Sequence, residues 1–403
     1  LARFERLLLL KDPRREDEWK QRHDRSFREP KMKLARMQAL ALLVGFASQL
    51  GALMGGRAAA QSLVGPDGTV KIPATSVPLS RYMSDEAKRK FVADASKRAA
   101  FSHRAVGSIE DERKFFDAYY EPVTAHAKTI WPVRVENEKI RGVSAQVITP
   151  STGSRRRNAR RVLINLHGGG FVVGGGGIGG LVESIPVAGV MGIKVVSIDY
   201  RMAPEFHYPA ASEDVAAVYR ELLKQHRPEE IGMFGCSAGG ILTAMAVAWF
   251  QHEKLPRPGA IGLFGSGAFA SSGGPPADLN AWGGDSRYTA PLLLGQAPLN
   301  SARAFGGQMD YTAHVAKDDP LASPALSPGV LRRFPPTLLL TGTRAADLGA
   351  AVETHRRLVR ADVRAELHVW DGMDHCFFYD PDLPESREVY DVVAKFFDTH
   401  LAR

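Results

Sequence analysis

Short runs of consecutive apolar residues recur through the last two thirds of the chain, spaced by longer stretches whose apolar positions follow helical periodicity. Continuous runs at 161–166, 193–198, 231–234, 260–264, 337–341 and 365–370 predict buried strands, and alternation at 133–135 and 143–149 predicts two more. Helical patterns cover 84–100, 210–225, 238–253 and 389–401, with another carrying Glu353. Ser84 stands as N-cap of the first of these, with Asp85 and Glu86 in its opening turn. Strands that alternate with helices of this length predict an α/β fold, a doubly wound and mainly parallel sheet covered on both faces. The segment 270–335 breaks the rhythm with Gly273-Gly274-Pro275-Pro276, Gly283-Gly284 and Asp318-Asp319-Pro320. A long insertion between core strands is usually functional, and together with 84–120 it is expected to form a cap. No internal repeat is present.

The chain has 403 residues, 44% of them hydrophobic, enough for one large core. Its formal charge of +8 would suggest a polyanionic partner, but the first sixty residues hold 13 Lys and Arg against 7 Asp and Glu. The remainder holds 39 against 37, and this near-neutral body argues against a nucleic-acid role. Within the first sixty, 1–31 reads as an upstream or disordered leader. Met32 opens a segment with Lys33 and Arg36, an apolar run over 39–54 and Ala58-Ala59-Ala60, the pattern of a signal peptide over 32–60 cut before Gln61. The alternative is an anchoring helix. Cleavage would leave a single domain over 61–403 without a stable membrane span, in the periplasm or secreted.

The candidate chemistry sits where strands end. Ile231-Gly232-Met233-Phe234 runs into Gly235-Cys236-Ser237-Ala238-Gly239 and then a helix, the pattern of a nucleophile elbow. Its sharp turn strains the serine backbone and requires flanking glycines so that the helix clears the strand. A second strand runs into His167-Gly168-Gly169-Gly170-Phe171, whose backbone N–H groups, joined by that of Ala238, can surround a developing oxyanion. Glycines continue over 174–177, but no phosphate-binding spacing accompanies them. A serine hydroxyl needs a base, and His375, in the loop after the last strand, is the candidate. Asp347, in the loop after strand 337–341, is the candidate acid, with a helix N-cap as its alternative role. Asp371 and Asp374 share the loop of His375 and are poorer candidates.

Taken together, His167-Gly168-Gly169-Gly170-Phe171, Asp199-Tyr200-Arg201-Met202-Ala203-Pro204-Glu205, Pro209-Ala210-Ala211-Ser212-Glu213-Asp214, Gly235-Cys236-Ser237-Ala238-Gly239-Gly240 and Asp319-Pro320-Leu321-Ala322-Ser323-Pro324 resemble the hormone-sensitive-lipase branch of the α/β-hydrolases, the α/β hydrolase fold-3 esterases. The resemblance implies hydrolysis of short- to medium-chain acyl esters of small molecules, with no cofactor and no metal. It implies an oxyanion hole from Gly169, Gly170 and Ala238. Alternatives on the same scaffold are an acetyl esterase or deacetylase on carbohydrate or amide substrates, or a ligand-binding protein without catalysis. Two positions depart from the family pattern: Cys236 stands where Asp usually precedes the nucleophile, and Ala345 where the triad acid usually stands, with Asp347 two places on. Cys236 and Cys376 adjoin the candidate nucleophile and base. The reading favoured for them is two buried thiols filling space, since neighbours of adjacent residues can point apart; the alternative is a disulfide. The oligomeric state is left open.

Overall fold

A computed structural model describes residues 78–102, 108–270, 311–316 and 318–402, all within the compact unit that spans 77–403. The expected leader, the signal peptide with its Ala60–Gln61 junction, the turn-rich 61–77 and residues 271–310 of the expected cap lie outside the described residues. No described helix is long and apolar enough to cross a membrane.

Eight strands form one sheet in the order β1-β2-β4-β3-β5-β6-β7-β8. They are β1 Val133–Ile140, β2 Val143–Pro150, β3 Val162–Leu166, β4 Lys194–Ile198, β5 Ile231–Cys236, β6 Ala260–Phe264, β7 Thr337–Gly342 and β8 Ala365–Trp370. The β1–β2 hairpin and the β2–β4 pair are antiparallel, and every other pairing is parallel. The longest discrepancy from expectation is β1, which runs on through Glu136, Asn137, Glu138 and Lys139. An edge strand needs no apolar pattern there, because hairpin hydrogen bonds to β2 hold it and its side chains face water.

Strand residues alternate between two cores. Val162, Ile164 and Leu166 of β3 join Ile231 and Met233 on one face, packed with the helices α4 Ala210–Leu222, α5 Ala238–His252 and α7 Leu348–Arg360. Leu163, Val195, Phe234 and Leu338 line the other, beneath α3 Ile178–Met191 and α8 Pro384–His400. Such two-sided burial is why the central strands read as unbroken apolar runs. Between α5 and α7 lies the short α6 Pro328–Leu331.

Helix α1 Asp85–Ser102 starts as expected, with the Ala87 N–H donating to Ser84 Oγ at 3.0 Å. Helix α2 Ile109–Ile130 opens on a capping box between Ser108 and Asp111. It braces the glycine loop after β3: Arg113 Nε donates to the Val172 carbonyl at 2.9 Å, and its Nη atoms reach Ala203 O at 3.1 Å and Glu205 at 2.8 Å. From the end of the insertion, Tyr311 stacks on Phe171 of the same loop at 4.4 Å between ring centres. The Asp199 to Glu205 motif has a structural role of this kind. Arg201 Nε donates to Asp214 Oδ1 at 2.9 Å and the Arg201 N–H to Asp214 Oδ2 at 2.9 Å, fixing the start of α4 against the end of β4.

Candidate active site

Ser237 joins β5 to α5 at φ 58° and ψ −125°, a left-handed backbone that a side-chain-bearing residue adopts only under constraint. The constraint is visible on both sides. The Ser237 N–H donates to Phe264 O of β6 at 2.8 Å, and a Cβ on Gly235 or Gly239 would collide with the Leu166 carbonyl at the end of β3. Helix α5 therefore crosses β3 at backbone contact, and only glycine fits at those two positions. Ala238, the first residue of α5, is buried directly behind the nucleophile candidate.

The glycine loop comes to the same place. At Gly168 a Cβ would stand 3.4 Å from Ser237 Cβ and 3.0 Å from Cys236 O, so the loop and the elbow touch through backbone. Gly169 and Gly170 take positive φ, 113° and 63°, and the Val172 and Val173 N–H groups close the turn on Gly169 O at 3.1 and 3.0 Å. His167 is part of this scaffold. Its ring stacks on Tyr200 at 4.2 Å with Nδ1 2.7 Å from Gly168 O, and burial pushes its pKa down.

His375 follows β8, and its Nδ1 lies 2.7 Å from Asp347 Oδ1. The other carboxylate oxygen accepts from Thr341 Oγ1 at 2.6 Å, and Asp347 is 2% exposed. Asp347 stands at the N-cap position of α7 but makes no side-chain cap bond. Its carboxylate is turned to the histidine instead. Asp371 is engaged elsewhere, accepting from Ser80 Oγ and, at 2.9 Å, from Thr343 Oγ1, and these bonds hold its pKa below the usual carboxylate range.

The expectation of two free thiols is corrected: Cys236 and Cys376 form a disulfide, with Cα atoms 6.6 Å apart. The two residues flank Gly265 from opposite strands of chain. A Cβ there would meet Cys236 Sγ at 3.0 Å, Cys376 Sγ at 3.1 Å and His375 Cε1 at 3.0 Å. Cys376 takes a left-handed backbone at this crossing, φ 52°. The crosslink thus ties the residue before Ser237 to the residue after His375.

Two further residues back the site and belong to none of the motifs. Glu183, inside α3, and Tyr379, four places past His375, are hydrogen-bonded to one another, Tyr379 Oη donating to Glu183 Oε1 at 2.6 Å. The available signal was a lone Glu within an otherwise apolar helical stretch, since a carboxyl is buried only when it is bonded. The glycines at 179 and 180 and Pro186 hid the helix itself. Among the described residues no group of His, Cys, Asp and Glu could hold a metal ion.

A mainly parallel sheet, a strained serine between strand and helix, and a histidine loop after the last strand define the α/β-hydrolase class. The sequence profile of the alpha/beta hydrolase fold family matches residues 163–379, and the chain belongs to that family, in its hormone-sensitive-lipase-like branch. It is similar to an acetyl-hydrolase of Streptomyces hygroscopicus, 30% identical over 247 residues that make up 60% of this chain and 77% of the relative. It is also similar to the carboxylesterase/phospholipase LipF of Mycobacterium tuberculosis, 28% identical over 63% of this chain and 66% of that one. The crystal structure of an esterase superposes with a TM-score of 0.68 at 30% identity, covering 82% of this chain and 98% of the other. An esterase from the bacterial hormone-sensitive lipase family gives 0.65 at 26% identity, covering 79% and 99%. The protein is a carboxylic ester hydrolase.

Proposed function

We propose that the protein hydrolyses short- to medium-chain acyl esters of small molecules through Ser237, His375 and Asp347, with an oxyanion hole built from the N–H groups of Gly169, Gly170 and Ala238. The observation that carries this reading is the 2.7 Å contact between His375 Nδ1 and Asp347 Oδ1, on the loop that the disulfide fastens to the serine elbow. Asp347 holds the proton on Nδ1, which leaves Nε2 as the base. Nε2 takes the Ser237 proton as Oγ adds to the ester carbonyl. The negative oxygen of the tetrahedral intermediate is met by the three backbone N–H groups, and the imidazolium by the Asp347 charge. The proton then passes to the departing alcohol, and water enters by the same steps to release the acid.

The short end of the acyl range is supported by the acetyl-hydrolase among the relatives. With p-nitrophenyl esters from acetate to laurate, kcat/KM is expected to peak between acetate and hexanoate and to fall on the order of tenfold or more by laurate. Highest turnover on laurate would overturn the acyl range.

Export is the second part of the proposal. It rests on the signal-like segment at 32–60 and on the Cys236–Cys376 disulfide, a bond that persists in oxidising compartments. Expressed from Met32 in a Gram-negative host, the protein is expected outside the cytoplasm with Gln61 at its N-terminus. Its intact mass should lie about 2 Da below that of the reduced form, two hydrogens being lost to the bridge. Soluble cytoplasmic protein that retains 32–60 and two titratable thiols would contradict the proposal.

A further inference from the structure

Helix α3 packs on the face of the sheet away from α5, and among its buried residues Glu183 is the one with an ionisable side chain. Its two oxygens accept four hydrogen bonds from three separate parts of the chain. The Gly168 N–H donates to Oε1 at 2.9 Å alongside the Tyr379 hydroxyl. Asn165 Nδ2 donates to Oε2 at 2.8 Å and the Cys236 N–H at 3.1 Å. Asn165 is oriented for this, because its Oδ1 already accepts from Ser197 Oγ at 2.8 Å.

Three of the four bonded groups adjoin a piece of the proposed machinery. The Gly168 amide immediately precedes Gly169 and Gly170, the Cys236 amide immediately precedes Ser237, and Tyr379 lies on the loop of His375. We propose that Glu183 is a positioning residue for the hydrolysis, its buried carboxyl fixing the oxyanion loop, the serine elbow and the histidine loop in one mutual register. The proposal rests on the reading of Ser237 and His375 as nucleophile and base.

A carboxyl is the side chain that this geometry requires. Two of the four donors are backbone N–H groups, one on each oxygen, and neither can turn around to accept. Both oxygens must therefore keep a lone pair. Burial pushes the Glu183 carboxyl up to about 7, against the opposing pull of its four donors. Protonation does not dissolve the arrangement, because a protonated Oε1 could donate to the Tyr379 oxygen and still accept from Gly168. The disulfide joins the elbow to the histidine loop covalently; Glu183 adds the oxyanion loop, which the disulfide does not reach.

Glu183→Gln separates this role from simple packing. Gln has nearly the same shape, but its amide nitrogen has no lone pair and must face either the Gly168 or the Cys236 N–H. With active sites titrated by a fluorophosphonate, the variant is expected to show kcat per titrated serine lowered about 30- to 100-fold and KM within about threefold of wild type. Tyr379→Phe removes one donor and leaves the carboxyl in place, so a kcat lowered about three- to tenfold is expected, again with KM unchanged. If the Gln variant does not fold, the Phe variant decides. Unchanged kcat per titrated serine in a folded Gln variant, or in the Phe variant where it decides, overturns the role whatever happens to Tm. Failure of the wild type to label at Ser237 overturns the serine reading itself, and labelled wild type with unaffected variants overturns the Glu183 proposal alone.

Discussion

Replacing Ser237 by alanine is expected to lower kcat on p-nitrophenyl butyrate on the order of 10⁵-fold or more while leaving Tm within a degree or two. The size follows from what the hydroxyl alone supplies. Without Oγ no acyl-enzyme can form, and the residual rate comes only from binding and from the oxyanion donors acting on water. The stability expectation follows from the backbone. At φ 58° the strain belongs to any residue with a Cβ, and alanine keeps the Cβ, the N–H bond to Phe264 O and the clearance that Gly235 and Gly239 give the helix. A Ser237→Ala protein with more than a hundredth of wild-type activity would remove this serine from the mechanism.

Asp347→Asn should lower kcat about 10³- to 10⁴-fold with little change in KM or Tm. Asn is isosteric and can adopt either of two orientations. With its NH₂ towards His375 it stabilises the tautomer that carries the proton on Nε2, and that nitrogen can no longer act as base. With its oxygen towards His375 the tautomer is right, but the imidazolium formed during the reaction has lost its neighbouring negative charge. In that orientation Thr341 Oγ1 must accept rather than donate, and its own proton can turn towards Gly342 O, 3.5 Å away. Folding is spared because no capping bond depends on the Asp347 side chain. Steady-state kinetics beside a thermal melt checks this. Near-normal kcat would exclude Asp347 as the acid and turn attention to Asp371 and Asp374.

What could be read from the sequence was whatever physical chemistry marks with unusual residues. The elbow is legible because two glycines must flank a strained serine, and the central strands because burial on both faces leaves no polar position. The contact of Asp347 with His375 is legible from chain order, even though Asp347 stands two places beyond the usual position. The pairing of Cys236 with Cys376 turned on a detail below that level, the directions of two side chains, with Cys376 on a left-handed backbone. Helix α3 was hidden by Gly179, Gly180 and Pro186, residues that usually end helices. Here the glycines allow close approach, since a Cβ on Gly179 would come against Gly174 and one on Gly180 against Ser197 Oγ. With the helix hidden, Glu183 had no position from which its role could be inferred.

The most direct measurement for Ser237 as nucleophile is to inhibit the wild-type protein with a fluorophosphonate, then digest it and locate the adduct by mass spectrometry. One adduct per chain is expected, carried by Ser237, with activity lost in proportion to labelling. An adduct on another residue, or full ester hydrolysis by protein fully labelled at Ser237, would contradict Ser237 as nucleophile.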